Sequence, residues 1–238
     1  VTLNIIQKPS PNFDDRYGIE PSLIILHYTG MKTAREALDR LTDIESKVSA
    51  HYTVDMDGTI YQHVDEKNRA WHAGAGAWKS YKDINRRSIG IEIVNKGHEY
   101  GYHVFPEEQI YAVKNLCHEI IVRHQIEPEG VLAHSDTAPS RKEDPGELFP
   151  WEELAKVGVG IWPDVSVEDS VKSYSIDIFQ ALFDFGYRCD DPQKSLLAFQ
   201  RHYVPHVFSD GKAGVVTTET KGRIYALLAE HLIIPHKL

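Results

Sequence analysis

The chain has 238 residues, of which 42% are hydrophobic and 26% charged, and its formal net charge is −9. That length and apolar content allow one large or two small domains with real cores. The acidic balance argues against a broad phosphate-binding surface and so against nucleic acid as a partner, and no apolar run approaches the roughly 18–20 residues that span a bilayer. The two cysteines, Cys117 and Cys189, make no disulfide framework and read as small packing residues. The sequence opens on Val1 rather than Met and shows no basic-then-apolar leader pattern. The expectation is a trimmed chain from which a leader or lipid anchor has been removed.

Residues 1–21 carry Pro9, Pro11 and Pro21 among polar residues and read as an extended arm. Residues 22–28 are nearly all apolar, as suits a strand buried on both faces, and run into His27-Tyr28-Thr29-Gly30. Over 33–44 the apolar positions Ala34, Ala37, Leu38 and Leu41 follow helical spacing behind Thr33 as N-cap. Residues 50–55 and 59–64 read as a hairpin turning at Asp57-Gly58, followed over 69–78 by a loop of small residues and Trp. Residues 88–94 alternate apolar side chains with Gly90 and Glu92 and predict another strand. Pro106 opens a helix that presents Ile110, Val113, Leu116, Cys117, Ile120 and Ile121 on one side and ends near His124. A last short strand, 131–133, delivers His134 to a Pro-punctuated loop, and a short helix over 151–157 is broken by Gly158 and Gly160. Beyond Asp164 the character changes: 175–185, 193–203 and 218–232 each carry helical apolar spacing between turns at Gly186-Tyr187 and Asp210-Gly211. The expected architecture is an α/β domain over 1–163, a mixed sheet flanked by helices, and a small all-α domain over 164–238.

Several residues stand where chemistry collects. His27 and His134 both end apolar strands, and the loop after His134 is too rich in Pro, Ser, Asp and Gly to be core, yet returns Lys142 and Asp144. Two histidines and one carboxylate leave a fourth position open, as a catalytic zinc needs. Glu92 sits on a strand face opposite Ile91 and Ile93, either at a solvated edge or in a site, where burial would tune it towards proton transfer. Lys142 is either a solvated lysine or a donor to a developing oxyanion. Trp71 and Trp78 flank His72 in a loop that fits a sugar or peptide groove, or else a Trp-anchored structural turn. Three motifs mislead. Asp55-Met-Asp57-Gly58-Thr59 spells a phosphatase signature but resumes strand alternation at once. His118-Glu119 with His124 has the wrong spacing for a helical zinc motif, six residues at ~100° each leaving the histidines ~120° apart. Gly74-Ala-Gly76 lacks the third glycine of a dinucleotide loop.

Read together, His27-Tyr28-Thr29, Val48-Ser-Ala-His-Tyr52, Ala70-Trp-His-Ala-Gly74, Ser88-Ile-Gly-Ile-Glu-Ile-Val-Asn95, His134-Ser-Asp-Thr-Ala-Pro139, Arg141-Lys-Glu-Asp-Pro-Gly146 and Phe149-Pro-Trp151 resemble the zinc-dependent N-acetylmuramoyl-L-alanine amidases of the type 2 family, its envelope members above all. The ordered blocks span residues 22–164. The resemblance implies a mixed sheet with the site in a groove at one edge, and one zinc ion held by His27, His134 and Asp144. It implies catalytic roles for Glu92 and Lys142, and substrate contacts at Trp71, His72, Ala73, Gly74 and Asn85. Phage-lysozyme-like members carry Tyr where this chain has Ala50 and lack an acid where Glu92 stands, which favours Glu92 as the base. Residues 164–238 are similar to a three-helix peptidoglycan-binding domain through Phe185-Gly-Tyr187, Ala198-Phe-Gln-Arg-His-Tyr203, Asp210-Gly211 and Ile224-Tyr-Ala-Leu-Leu228. The implied substrate is peptidoglycan or a muropeptide in the bacterial, periplasmic envelope; cytoplasmic recycling of muropeptides and a non-catalytic recognition protein are the rival readings.

Overall fold

The structure, a computed structural model, describes residues 3–231. Its strands are β1 (Ile5–Gln7), β2 (Phe13–Asp15), β3 (Leu23–Tyr28), β4 (Tyr52–Val54), β5 (Ile60–Gln62), β6 (Asn68–Ala70), β7 (Ser88–Ile93) and β8 (Val131–Ala133). Six of them form a mixed sheet in the order β1-β5-β4-β7-β3-β8, and β2 pairs with β6 in a separate ribbon. Within the large sheet only β4 and β5 run antiparallel, as a hairpin closed by Asp55 N–H to Thr59 O at 2.8 Å. The Asp55–Thr59 stretch is therefore a turn between paired strands.

Side-chain alternation sorts the sheet into two faces. Ile24 and Leu26 of β3, Ile89, Ile91 and Ile93 of β7, and Val131 of β8 share one core with Ile110, Val113, Leu116, Cys117 and Ile120 of the helix Glu107–His124. On the other face Leu23, Ile25 and Leu132 pack with Trp78 and Ile84 and with Leu182, Phe185, Leu196, Phe199 and Leu227 of the C-terminal helices. Both faces of β3 are thus dry, and each fully buried Ile or Leu contributes about 1.5–3 kcal/mol. That burial explains the unbroken apolar run of β3. On the second face β7 sets Ser88 and Gly90 beside Leu23 and Ile25, and at the far end Thr53, Glu92 and His27 stand side by side across β4, β7 and β3; that end carries the site.

The C-terminal helices Ile178–Phe185, Pro192–Tyr203 and Thr218–His231 start at Asp177, Asp191 and Thr217-proximal turns, with Pro192 at the first position of its helix. Leu232, the expected end of the last helix, lies outside the described residues. Trp162, beside the expected boundary, packs against both cores.

The N-terminal segment differs from the expected arm. β1 extends the sheet alongside β5, β2 pairs with β6, and Arg16 is only 3% exposed. Arg16 donates to the carbonyls of Glu66, Asn85, Arg86 and Ser88, so its burial is compensated by oxygens that local sequence does not reveal.

Glu66 ties this scaffold together. Its carboxylate accepts from Tyr52 Oη at 2.7 Å, Arg123 Nη1 at 2.6 Å and His124 Nε2 at 2.6 Å. Burial pushes the Glu66 carboxyl up, but these three donors outweigh it and hold the group below its ordinary value. A depressed folded value contributes stability that is present above the unfolded pKa of about 4.3 and is lost as pH falls through the folded one. Glu66→Gln is expected to cost about 2–3 kcal/mol at neutral pH, less than the ~3–5 for breaking a fully buried pair, because Arg123 is 48% exposed. Thermal melts from pH 3 to 7 check it: the gap between wild type and variant should close at the acid end.

Candidate active site

Strand register assembles the site. β3 and β7 pair with His27 opposite Glu92, so both side chains project from the same face at the carboxyl ends of parallel strands. β8 lies on the other side of β3, and its chain turns directly into the single helical turn His134–Thr137. The following loop folds back until Ser135 N–H donates to Asp144 O at 3.0 Å. His27 Nδ1 then lies 2.9 Å from His134 Nδ1 and 3.1 Å from Asp144 Oδ2, and His134 Nδ1 lies 3.0 Å from the same oxygen. The three residues are 1%, 2% and 6% exposed.

The hydrogen bonds behind the histidines fix which ring nitrogens carry protons. Ser88 Oγ donates to Ile84 O at 2.7 Å, so it accepts from His72 Nε2–H at 3.0 Å. His72 Nδ1 is thereby left to accept from His27 Nε2–H at 2.9 Å, and His27 Nδ1 is a bare lone pair. Likewise His134 Nε2–H donates to Ala73 O at 2.9 Å, leaving its Nδ1 bare. Two imidazole lone pairs and a carboxylate oxygen thus converge with all donor atoms within 4.8 Å of one another. Such a set is repulsive by itself and complementary to a cation, so these residues fit a divalent metal ion with room for a further ligand.

The same crowding sets the electrostatics. Burial lowers His27 to about 4, with His134 adding to the effect. Burial would raise Asp144, and it is held well below the usual carboxylate range only when positive charge sits on the His134 and His27 side of it, the charge that a cation between the bare Nδ1 atoms would supply. Glu92 is pushed well above its ordinary value by burial and then by Asp144, against the opposing charge of Lys142. Its Oε2 is buried and meets no hydrogen-bond partner among the described residues. A carboxyl held high and unpartnered beside a cation site is suited to moving protons.

A cleft of about 290 Å³ opens over these groups, lined by Tyr28, Trp71, His72, Glu92 and Lys142 together with His27, His134 and Asp144. A larger cleft of about 1010 Å³ between β1 and the helix Glu107–His124 contains none of them. The structure thus brings together His27, Glu92, His134, Lys142 and Asp144, with Trp71 and His72 at the cleft wall. The other expected substrate contacts sit further back. Asn85 is 6% exposed, and its Oδ1 accepts from the backbone N–H groups of His72 and Ala73. Ala73 is fully buried, its carbonyl taken by His134 and Arg141, while exposed Gly74 packs beside the Arg141 guanidinium. Ser88 and Arg16 escaped the sequence reading, Ser88 because only its alternation with Gly90 and Glu92 marked it.

An open cluster of two histidines and a carboxylate at the carboxyl ends of a mixed sheet, with a raised acid beside it, is the equipment of a hydrolase. Comparison with known proteins agrees. A family model described as N-acetylmuramoyl-L-alanine amidase matches residues 17–147. The N-acetylmuramoyl-L-alanine amidase AmiD of Escherichia coli is 33% identical over 95% of this chain and 91% of its own length. The solved complex of that AmiD with the substrate anhydro-N-acetylmuramic acid-L-Ala-D-gamma-Glu-L-Lys superposes with a TM-score of 0.78 over 92% of this chain and 98% of that chain, at 31% identity. AmpDh3 from Pseudomonas aeruginosa gives a TM-score of 0.78 over 93% and 95% of the two chains, at 29% identity. The chain belongs to the N-acetylmuramoyl-L-alanine amidase family, and it is an amidase with the mixed-sheet fold of these relatives.

Proposed function

We propose that the protein hydrolyses the amide between the lactyl group of N-acetylmuramic acid and L-alanine in peptidoglycan or muropeptides, in cell-wall turnover or recycling. The convergence of two imidazole lone pairs and the Asp144 carboxylate beside a half-buried Glu92, whose inner Oε2 meets no hydrogen-bond partner among the described residues, carries this reading. One zinc ion, held by His27, His134 and Asp144, would supply Lewis acidity at an open fourth position. Glu92 takes a proton from the water that adds to the lactyl carbonyl carbon. It returns that proton to the alanine nitrogen as the C–N bond breaks, leaving a carboxylic acid and a free amine. Lys142, at the cleft wall, donates to the carbonyl oxygen as negative charge develops there. Trp71 offers an apolar face to the sugar or peptide, and His72, Ala73, Gly74 and Asn85 hold that wall in shape. The relatives' names and the substrate in the AmiD complex support a wall-derived substrate, and the proposed setting is the bacterial envelope, on its periplasmic side. Residues 164–238 are assigned peptidoglycan binding on their motifs.

Prolonged chelation is expected to abolish product release from purified sacculi and from an anhydro-muropeptide, and stoichiometric zinc to restore it, with products read by mass spectrometry. Full activity in protein shown to be metal-free by elemental analysis would sink the reading. Ser88→Ala tests the relay behind His27. It removes the acceptor for His72 Nε2–H, and zinc affinity in chelator competition is expected to fall about tenfold, the low end for loss of an outer partner of a metal ligand.

A further inference from the structure

The turn that carries His134 is gripped from the C-terminal helices. Residues 134–137 are all buried, and Asp136 has no exposed surface. Its Oδ2 accepts from the Ala133 N–H at 2.8 Å, which fixes the entry to the turn. The other donors come from beyond residue 163. Tyr187 Oη donates to Asp136 Oδ1 at 2.7 Å, and His202 Nδ1 lies 2.7 Å from Oδ2. His202 Nε2 is buried without a partner among the described residues, so the ring proton sits on Nδ1 and points at Asp136. The His202 ring is clamped between Trp151 and Tyr203, with centroids 3.7 and 3.9 Å away.

The second grip is on the other end of the same loop. Arg201, adjacent to His202, lies 3.6 Å from Glu143 and 3.5 Å from Glu147, and these residues bracket Asp144. Tyr187 is itself anchored: Lys79 N–H donates to Gly186 O at 2.8 Å, and a Cβ at Gly186 would lie 2.7 Å from the Trp78 ring. One helix, Pro192–Tyr203, therefore braces both loop ligands of the cation cluster.

We propose that the C-terminal helices are a positioning element of the metal site: Tyr187 and His202, acting through Asp136, set the orientation of His134. Residues beyond 163 are then part of the catalytic unit, whatever else they bind. This inference rests on the metal reading above. A buried carboxylate with three fixed donors has one orientation, and the Ala133 N–H held by it defines where His134 leaves β8. Loss of a donor frees the carboxylate to turn and the imidazole with it.

The test uses the full chain, with zinc affinity read by chelator competition and geometry by the visible bands of the cobalt-substituted protein, both well below the melting temperature. Tyr187→Phe, which keeps the ring, and His202→Leu are expected to weaken zinc binding about tenfold, the low end for disturbing a ligand's surroundings, and to shift the cobalt bands. His202→Asn places an amide N–H near the lost Nδ1–H and should restore both. Leu196→Ala, in the same apolar layer but without a hydrogen bond to the turn, should lower the melting temperature and leave both readouts unchanged. Wild-type affinity and spectra in Tyr187→Phe and His202→Leu would overturn the proposal, leaving these residues a purely structural role. Wild-type protein that takes up no zinc would overturn the metal reading itself, and this inference with it.

Discussion

Glu92→Gln should retain its zinc and lose its turnover. Elemental analysis of the variant is expected to match wild type, because Glu92 is not among the three convergent donors. kcat on an anhydro-muropeptide is expected to fall by about 10²–10⁴, the usual worth of a positioned general acid–base group. The amide fills the same volume, so folding is not the variable, but its oxygen cannot take up and return a proton at working pH. The pH profile gives a second check. The wild-type carboxyl is raised by burial and by Asp144 and lowered by Lys142, and the base form is the ionised one. Activity should therefore rise with pH along a limb lying above the ordinary glutamate value of about 4.3, and the residual activity of Glu92→Gln should lack that limb. A variant with intact zinc and wild-type turnover would remove Glu92 from the mechanism.

Gly90→Ala should damage the site from behind with one methyl group. A Cβ at Gly90 would lie 2.3 Å from His72 Cγ, inside the imidazole ring's own space. His51 blocks another retreat, since its Nδ1 accepts the Gly90 N–H at 2.9 Å. His72 must move, and it is the acceptor that holds His27 Nε2–H. The expected cost is about 1–3 kcal/mol of stability for overpacking, with a fall in zinc affinity of about 10–100-fold for losing an outer partner of a ligand. Denaturant unfolding of the apo protein measures the first and chelator competition the second. Ser88→Ala breaks the same relay one bond further out without the clash, so it should lower affinity less, while stranding the buried His72 Nε2–H and Ile84 carbonyl costs about 1–3 kcal/mol of apo stability.

Much of this molecule was legible in its sequence. The continuous apolar run of β3, the alternation of β7, the helix Glu107–His124 and the Asp57-Gly58 turn are local patterns, and local patterns specify faces as well as elements. Alternation alone set Glu92 opposite Ile91 and Ile93. The five residues proposed for chemistry were reached through strand-end positions and the family resemblance, and the fold gathers all five in one cleft. The N-terminal segment was harder to read. Three-residue strands such as β1 and β2 carry too little periodicity to announce themselves, and Arg16 is buried only because four carbonyls from distant segments surround it.

The sequence by itself determined the sheet, the helix behind it and the donor types at the strand ends, because burial pattern and residue chemistry are properties of short stretches. Tertiary structure alone decided what supports those donors. His72 read as a groove residue; it lines the cleft, and its ring is also one link of a relay from Ile84 O through Ser88 to His27, which no local pattern announces. Asp136, Tyr187 and His202 are separated by 51 and 66 positions from the carboxylate to its two partners. No periodicity or spacing rule reports a hydrogen bond at that separation. It exists because a sheet face and a helical layer bury a common core, and that packing brings the turn after β8 within reach of both donors.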